Sequence, residues 1–371
     1  MPAAAGVTGP GHDRAGDRGH GRLVGPDVVR AVALVGVVVL NYHAYLMIAG
    51  APRQPGAWGE LLDPRTGPLA TRFAATFVLV AGVGATLMTR SASGAELRRR
   101  RVVLLRRGLL LFVAGWLVDL AWQGTILPYY GAMFAVAAVL VGLSSRLLAV
   151  VGAAAALAAA VLSWWLLRQR TAGRPVDWLV DPPHWSPQGL VLDTVVNGSH
   201  PLLPWLAFFC AGMLLGRVLR RRGWRATVLG LGMVLLGGAA VVARLGATGS
   251  LEVQLLTSTA PSSRSLIYTA SVLGSSLLAY AGVSWLAERR PNGPVVEVLR
   301  SAGATSLTLY LLHIAVFRLL VDGLGVVPLT GLVPTLVLSA GFWVVAVLAA
   351  WWWHRRFGIG PAEAAYRRIG G

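Results

Sequence analysis

Gly25-Pro26-Asp27-Val28-Val29-Arg30-Ala31-Val32-Ala33-Leu34-Val35-Gly36-Val37-Val38-Val39-Leu40-Asn41-Tyr42-His43 is the stretch that decides the fold. From Ala31 to Leu40 it carries no polar side chain, and the apolar window it opens runs from 28 to 48. That is the ~20 residues a helix needs to cross the hydrocarbon core of a bilayer. Nine further windows of the same kind follow, near 69–89, 103–122, 126–143, 147–167, 202–219, 226–243, 265–287, 305–321 and 331–353. The expected fold is therefore all-α, a polytopic integral membrane helical bundle of about ten transmembrane helices.

Composition agrees. Of 371 residues, 56% are hydrophobic and 13% charged, and the mean hydropathy is +0.65. No water-soluble domain buries that much apolar surface. The formal net charge of +18 would point to nucleic acid in a soluble protein. Here the arginines sit in clusters between apolar windows, so they read as a topology signal and no nucleic-acid partner is expected.

The clusters are Arg98 to Arg101, Arg146, Arg220 to Arg222 with Arg225, then Arg289, Arg290 and Arg300, and finally Arg355, Arg356, Arg367 and Arg368. The alternate loops are poorer in Arg and carry Trp, Pro and acids, the longest running from Arg168 to Ser199. This alternation predicts cytoplasmic N- and C-termini and a multi-pass protein of the cell membrane. Three regions follow: a disordered tail over 1–24, a membrane domain over 25–356 and a cytoplasmic tail over 357–371. Cys210 is the only cysteine, which excludes an intrachain disulfide, and no metal site is expected.

An ionisable group inside a span costs about 2.5 to 3.5 kcal/mol on insertion scales, so each is a functional candidate until a partner is found. Asp27 and Arg30 lie one helical turn apart at the inner mouth of the first span and can pair. At its outer end Asn41, Tyr42 and His43 offer three hydrogen-bonding side chains where the membrane gives way to a loop. A histidine titrates near neutrality, so His43 could accept a proton from an attacking hydroxyl or amine, or carry an acyl group itself; an interfacial histidine beside an aromatic belt is the other reading. Asp119, Tyr129, His200 and Arg264 fall near the same outer face from different helices; most of them taken singly read as interfacial anchors or satisfied structural pairs, and only as a set do they suggest a polar vestibule. His313 sits deeper, where a core histidine bonded to a neighbouring helix competes with a substrate contact. On the inner face Arg106, Arg107 and Arg217 carry guanidinium groups suited to bidentate phosphate contacts, or to anionic lipid headgroups.

The opening stretch, ending in Asn41-Tyr42, resembles the first span of the transmembrane acyltransferase superfamily, which includes heparan-alpha-glucosaminide N-acetyltransferase and the bacterial YeiB-type proteins. Three further stretches agree: His200-Pro201-Leu202-Leu203-Pro204-Trp205 running on to Gly212-Met213-Leu214-Leu215-Gly216-Arg217, then Ser306-Leu307-Thr308-Leu309-Tyr310-Leu311-Leu312-His313, and Gly360-Pro361-Ala362-Glu363 in the tail. The resemblance implies transfer of an acyl group, typically acetyl from cytoplasmic acetyl-CoA, to an acceptor at the external face. Asn41 matches that family's active-site asparagine. In the heparan enzyme the catalytic histidine lies several residues further along the loop, whereas the near histidine here is His43; His200 occupies a position where relatives often have Tyr, which makes it a second candidate for the base.

These readings give Asn41, His43 and His200 as candidate catalytic residues and Arg30, Arg106, Arg107 and Arg217 as candidate donor-phosphate residues. Asp119, Tyr129, Arg264 and His313 are the candidate acceptor contacts. Acetyl-CoA is the expected co-substrate, and the expected acceptor is a sugar-containing small molecule or envelope glycan. The lipid bilayer is an expected partner and a homo-oligomer is compatible with the sequence. A transporter that uses the same polar groups without covalent chemistry is the alternative.

Overall fold

The computed structural model describes residues 23–183 and 186–371. It is a bundle of α1 (Val24–Ile48), α2 (Ala57–Leu61), α3 (Arg72–Thr89), α4 (Gly94–Asp119), α5 (Leu127–Leu140), α6 (Ser145–Thr171), α7 (Asp177–Val180) and α8 (Pro187–Leu192). The chain continues through α9 (Leu202–Val218), α10 (Trp224–Gly246), α11 (Leu251–Thr257), α12 (Leu266–Arg289), α13 (Pro294–Ala304), α14 (Ser306–Phe317), α15 (Leu332–Phe357) and α16 (Pro361–Gly370). A π-helical turn, Asp193–Asn197, follows α8, and another, Arg318–Gly323, extends α14. Among the described residues there is no strand. The tail expected over 1–24 lies outside the described residues except for its last two.

Each of the ten apolar windows falls on a helix. Among the described residues seven helices are long and apolar enough to cross a membrane, and the number rises to eight if the bent pair Pro187–Asn197 with Leu202–Val218 is one span. The other two windows are α4, whose first half carries the arginines, and α5, which is only 14 residues long. Large apolar side chains lie exposed on the outer faces, such as Val234 and Leu245 on α10 and Val344 and Val345 on α15. In water that pattern would drive aggregation, and against lipid it costs nothing.

Helix α1 is the central post. Ala31, Leu34, Val38, Tyr42 and Leu46 are fully buried along it, and it packs against α3, α12, α13, α14 and α15. Since lipid offers no hydrophobic force between helices, close backbone approach through small residues substitutes for it. At the α3–α9 crossing a Cβ on Gly82 would lie 2.1 Å from the Phe209 carbonyl oxygen, and one on Gly212 would lie 2.0 Å from that of Leu79. Gly108 and Gly131 bring α4 and α5 together in the same way.

The bent span creates a demand. Backbone carbonyls freed at a helix break within the membrane must find donors, because no water is there to supply them. The guanidinium of Arg264 supplies them: it donates to the carbonyls of Val196, Asn197 (3.0 Å) and Gly198 (3.1 Å). His200 lies in the break, between the two arms, which meet at 54°.

The segment expected as a cytoplasmic tail, 357–371, forms the end of α15 and then α16, which folds back on α4 and α14. Glu363 anchors it. Its buried carboxylate accepts from the backbone N–H groups of Leu307 (2.6 Å) and Thr308 (3.2 Å) and from the Thr308 hydroxyl (2.6 Å). An acid at the first turn of a helix satisfies otherwise orphaned donors and complements the helix dipole.

Candidate active site

Three cavities follow one another along α1. At the arginine-rich end an open cleft of about 770 Å³ is lined by Arg30, Arg90, Arg107, Arg220 and Arg367, with Asp27 as the single acid. Arg30 pairs with Asp27 (3.2 Å) and reaches the Gly303 carbonyl (3.4 Å). Arg107 donates to the Gly371 backbone oxygen (2.8 Å). Arg90, Arg220 and Arg367 make no side-chain hydrogen bond or ion pair among the described residues, so the cleft holds an excess of positive charge.

Arg30, Arg107 and Arg367 also line the next cavity, about 220 Å³, where Phe77, Leu111, Ile126 and Phe134 make the wall apolar. Tyr366 from α16 joins it, and burial pushes its phenol up to about 12, against the pull of Arg107. It stays neutral at physiological pH. Phe77, Ile126 and Tyr310 are then shared with a third cavity of about 260 Å³, lined by Asn41, Tyr45, Thr71, Ser199 and His200.

The register of α1 explains this order. Arg30, Leu34, Val37 and Asn41 are spaced four, three and four residues apart, so they form one stripe along the helix. From Arg30 to Asn41 is about 16 Å at 1.5 Å rise per residue. His43, two residues beyond Asn41, points to the opposite side of the same helix.

Asn41 is held in place by α14. The Nδ1–H of His313 can only donate to the Tyr310 carbonyl that it contacts, which leaves His313 Nε2 as an acceptor. The Asn41 Nδ2 lies 3.3 Å from that nitrogen and donates to it. Tyr42 fastens the same two helices, its hydroxyl donating to the His313 carbonyl (2.9 Å). One amide N–H and the carbonyl oxygen of Asn41 remain for the cavity.

His200 enters the third cavity from the break in the bent span. Trp205 meets its ring edge-on at 4.6 Å between centroids, and Tyr129 flanks it at 5.9 Å. Thus two of the three expected catalytic residues, Asn41 and His200, share one cavity. The structure does not bring His43 there. His43 is buried, with Nδ1 donating to the Leu62 carbonyl (2.8 Å), so it ties the loop after α1 to the helix. That loop is itself organised by Asp63, which accepts from Arg65 and Thr66 backbone N–H groups and pairs with Arg53 (2.7 Å). Burial alone would raise the Asp63 carboxyl; those hydrogen bonds and Arg53 outweigh it and hold the group below the usual carboxylate range.

The remaining expectations divide by helix face. Arg30 and Arg107 line the inner cavities, while Arg106, one residue away and about 100° around α4, is exposed on another face. Arg217 spends its donors on Ser145 (3.0 Å) and the Leu143 carbonyl (2.7 Å), pinning the α5–α6 turn. Asp119 accepts from the Gly124 N–H (2.8 Å) in the α4–α5 turn. The Tyr129 hydroxyl accepts from the Ser199 N–H (3.3 Å), steadying the His200 segment. Arg264 caps the broken span, and His313 holds Asn41. Sequence reading missed Arg90 as a lining residue, gave Arg220 and Arg367 a topological role only, and passed over Tyr45 and Ser199; nothing in their local sequence marks them.

Comparison with protein-family models gives two matches. Residues 22–248 match the model described as heparan-alpha-glucosaminide N-acetyltransferase, catalytic. Residues 216–370 match a family described as protein of unknown function (DUF418). No curated protein matches the chain. The first model spans more than half of the chain and ends just after α10, beyond Asn41, His200 and the inner Arg30 and Arg107. With the cavities it encloses, this 371-residue membrane protein belongs to the heparan-alpha-glucosaminide N-acetyltransferase catalytic family, within the transmembrane acyltransferases.

Proposed function

We propose that the protein moves an acyl group, acetyl by preference, from acyl-CoA to a hydroxyl or amine of a sugar-containing acceptor, across the bundle. The observation that carries this reading is the row of three cavities sharing walls, from five arginines to Asn41 and His200. The positive-inside rule assigns the arginine-rich end, with both termini, to the cytoplasm. There the guanidinium groups hold the phosphates of the nucleotide. The pantetheine arm is slender and flexible, and fits the narrow apolar middle cavity. Its length suits the distance between Arg30 and Asn41 on α1.

In the third cavity the thioester carbonyl meets the acceptor. His200, through Nε2, takes the proton of the attacking hydroxyl or amine as the new C–O or C–N bond forms. The free N–H of Asn41 donates to the oxyanion. Collapse of the intermediate breaks the C–S bond, and the departing thiolate takes the proton from His200, leaving acylated acceptor and CoA thiol. His43 keeps the roof of the cavity in place.

The test is acetyl-CoA binding and turnover by detergent-purified protein, with intact mass to detect any acyl-enzyme. Asn41→Ala and His200→Ala each lower turnover by about 10² to 10³-fold while CoA binding survives; His43→Ala retains the chemistry and loosens the loop. A wild-type protein that binds no CoA would overturn the reading in favour of a carrier.

A further inference from the structure

A fourth cavity, about 470 Å³, opens at the arginine-poor end beside the third and shares Thr71 and Ser199 with it. Its wall is built from separate parts of the chain, among them Ser163 of α6, Asn197 at the break of the bent span, Trp205 of α9, Ser262 and Arg264 before α12, and Tyr268 of α12. Hydroxyl and amide groups dominate, with Trp205 and prolines as apolar faces. This is the lining that ring hydroxyls and the C–H face of a sugar satisfy.

The charges are one-sided. Among the described residues Arg264 and His200 are the only ionisable side chains other than tyrosine that line these two outer cavities, and no Asp or Glu lines either one. The nearby acids lie elsewhere: Asp63 is paired with Arg53 and Thr66, Asp119 faces the α4–α5 turn, Glu252 is taken by Trp164 and Arg168, and Asp177, Asp181 and Asp193 line neither cavity. A protonated amine placed here would lose its hydration, gain no counter-charge and face the Arg264 guanidinium.

Resting on the acyltransferase reading, we infer that this fourth cavity is the acceptor subsite and that it selects a polyhydroxylated acceptor without positive charge, which is acylated on oxygen. The shared Thr71 and Ser199 rim lets one hydroxyl project towards His200 while the rest of the acceptor stays in the fourth cavity. The hydroxyl proton passes to His200, the C–O bond forms as the C–S bond breaks, and the products are an ester and a thiol.

The experiment compares methyl α-glucoside, which is neutral, with glucosamine, which is cationic at pH 7, by ligand-observed NMR binding and by mass-detected acetyl transfer. It uses the detergent-purified full chain and the cavity-filling variants Ser163→Trp and Ser262→Trp, each judged folded by acetyl-CoA binding. The glucoside binds saturably, at least about tenfold more tightly than glucosamine, and both variants weaken it at least about tenfold, a change of about 1.4 kcal/mol. Glucosamine bound or N-acetylated as well as the glucoside is acetylated would overturn the inference, as would glucoside affinity unchanged in both variants. Wild-type protein that binds the glucoside but never cleaves acetyl-CoA would sink the acyltransferase reading and leave the cavity assignment standing.

Discussion

The two ends of the bundle treat arginine in opposite ways. At the end with few arginines, each one that reaches into the structure is consumed by it. Arg72 donates to the Ser271 carbonyl and to the Ser271 and Ser275 hydroxyls at 2.8 to 2.9 Å. Arg264 is committed to three carbonyls, Arg318 to Asp322 and the Ala121 carbonyl, and Arg53 to Asp63. At the other end Arg90, Arg220 and Arg367 line a cleft and make no such bond among the described residues. A guanidinium whose donors are spent holds a fold, and one whose donors are free is available to a ligand. The count of arginines reports topology; their unspent donors mark the cleft.

The sharpest way to break this contrast is to remove the free cations. The combined change Arg90→Ala, Arg220→Ala and Arg367→Ala should lower acetyl-CoA affinity by at least about 10³-fold, since three charge-assisted hydrogen bonds at about 1.5 kcal/mol or more each sum to about 4.5 kcal/mol. Titration calorimetry at low and high salt reads it, and wild-type affinity should fall as salt rises. An affinity that survives the triple change would mean these groups serve lipid headgroups instead.

A smaller effect tests whether the free end depends on the α16 dock. Glu363→Ala removes three acceptor contacts to α14, costing about 1 to 3 kcal/mol for donors left unpaired. Melting temperature should drop and donor affinity should fall several-fold as Arg367 leaves the cleft, with Glu363→Gln intermediate. If donor affinity is untouched, Arg367 is no part of the donor site.

The smallest effect lies at the spent end. Because the folded-state pKa of Asp63 is depressed, its contribution to holding the 50–71 loop is fully present above the unfolded value, near 4, and is lost as pH falls through the folded value. Limited proteolysis of that loop should therefore accelerate below about pH 4 in the wild type. Asp63→Asn should cleave readily at all pH values; a variant protected like the wild type would show that Arg53 and the carboxylate do not hold the loop.

Much of this was legible in the sequence, and its limits are physical. The helical windows follow from hydrocarbon thickness and appear as runs of apolar residues. Asn41 and His200 stand out in the sequence as polar groups at a membrane boundary, at positions where the family resemblance also points. What failed was direction around the helix. Asn41 and His43 are two residues apart, and a 3.6-residue turn separates such neighbours by about 200°, so that pairing was excludable from the sequence. Arg106 and Arg107 differ by one step on α4, and only the packing of α4 on α5 and α16 decides which faces inward. The His313–Asn41 contact and the Glu363 anchor join residues far apart in the chain, and no local pattern announces either.

The glycines at the α3–α9 crossing carry one further consequence. Helix α3 supplies Phe73, Ala74 and Phe77 to the cavity walls, and α9 begins just after His200. Gly82 and Gly212 let the two backbones touch, so a single methyl at either position would wedge the helices apart. The bore of the cavities along α1 is thus gauged by two hydrogen atoms on their outside, at residues that line none of them.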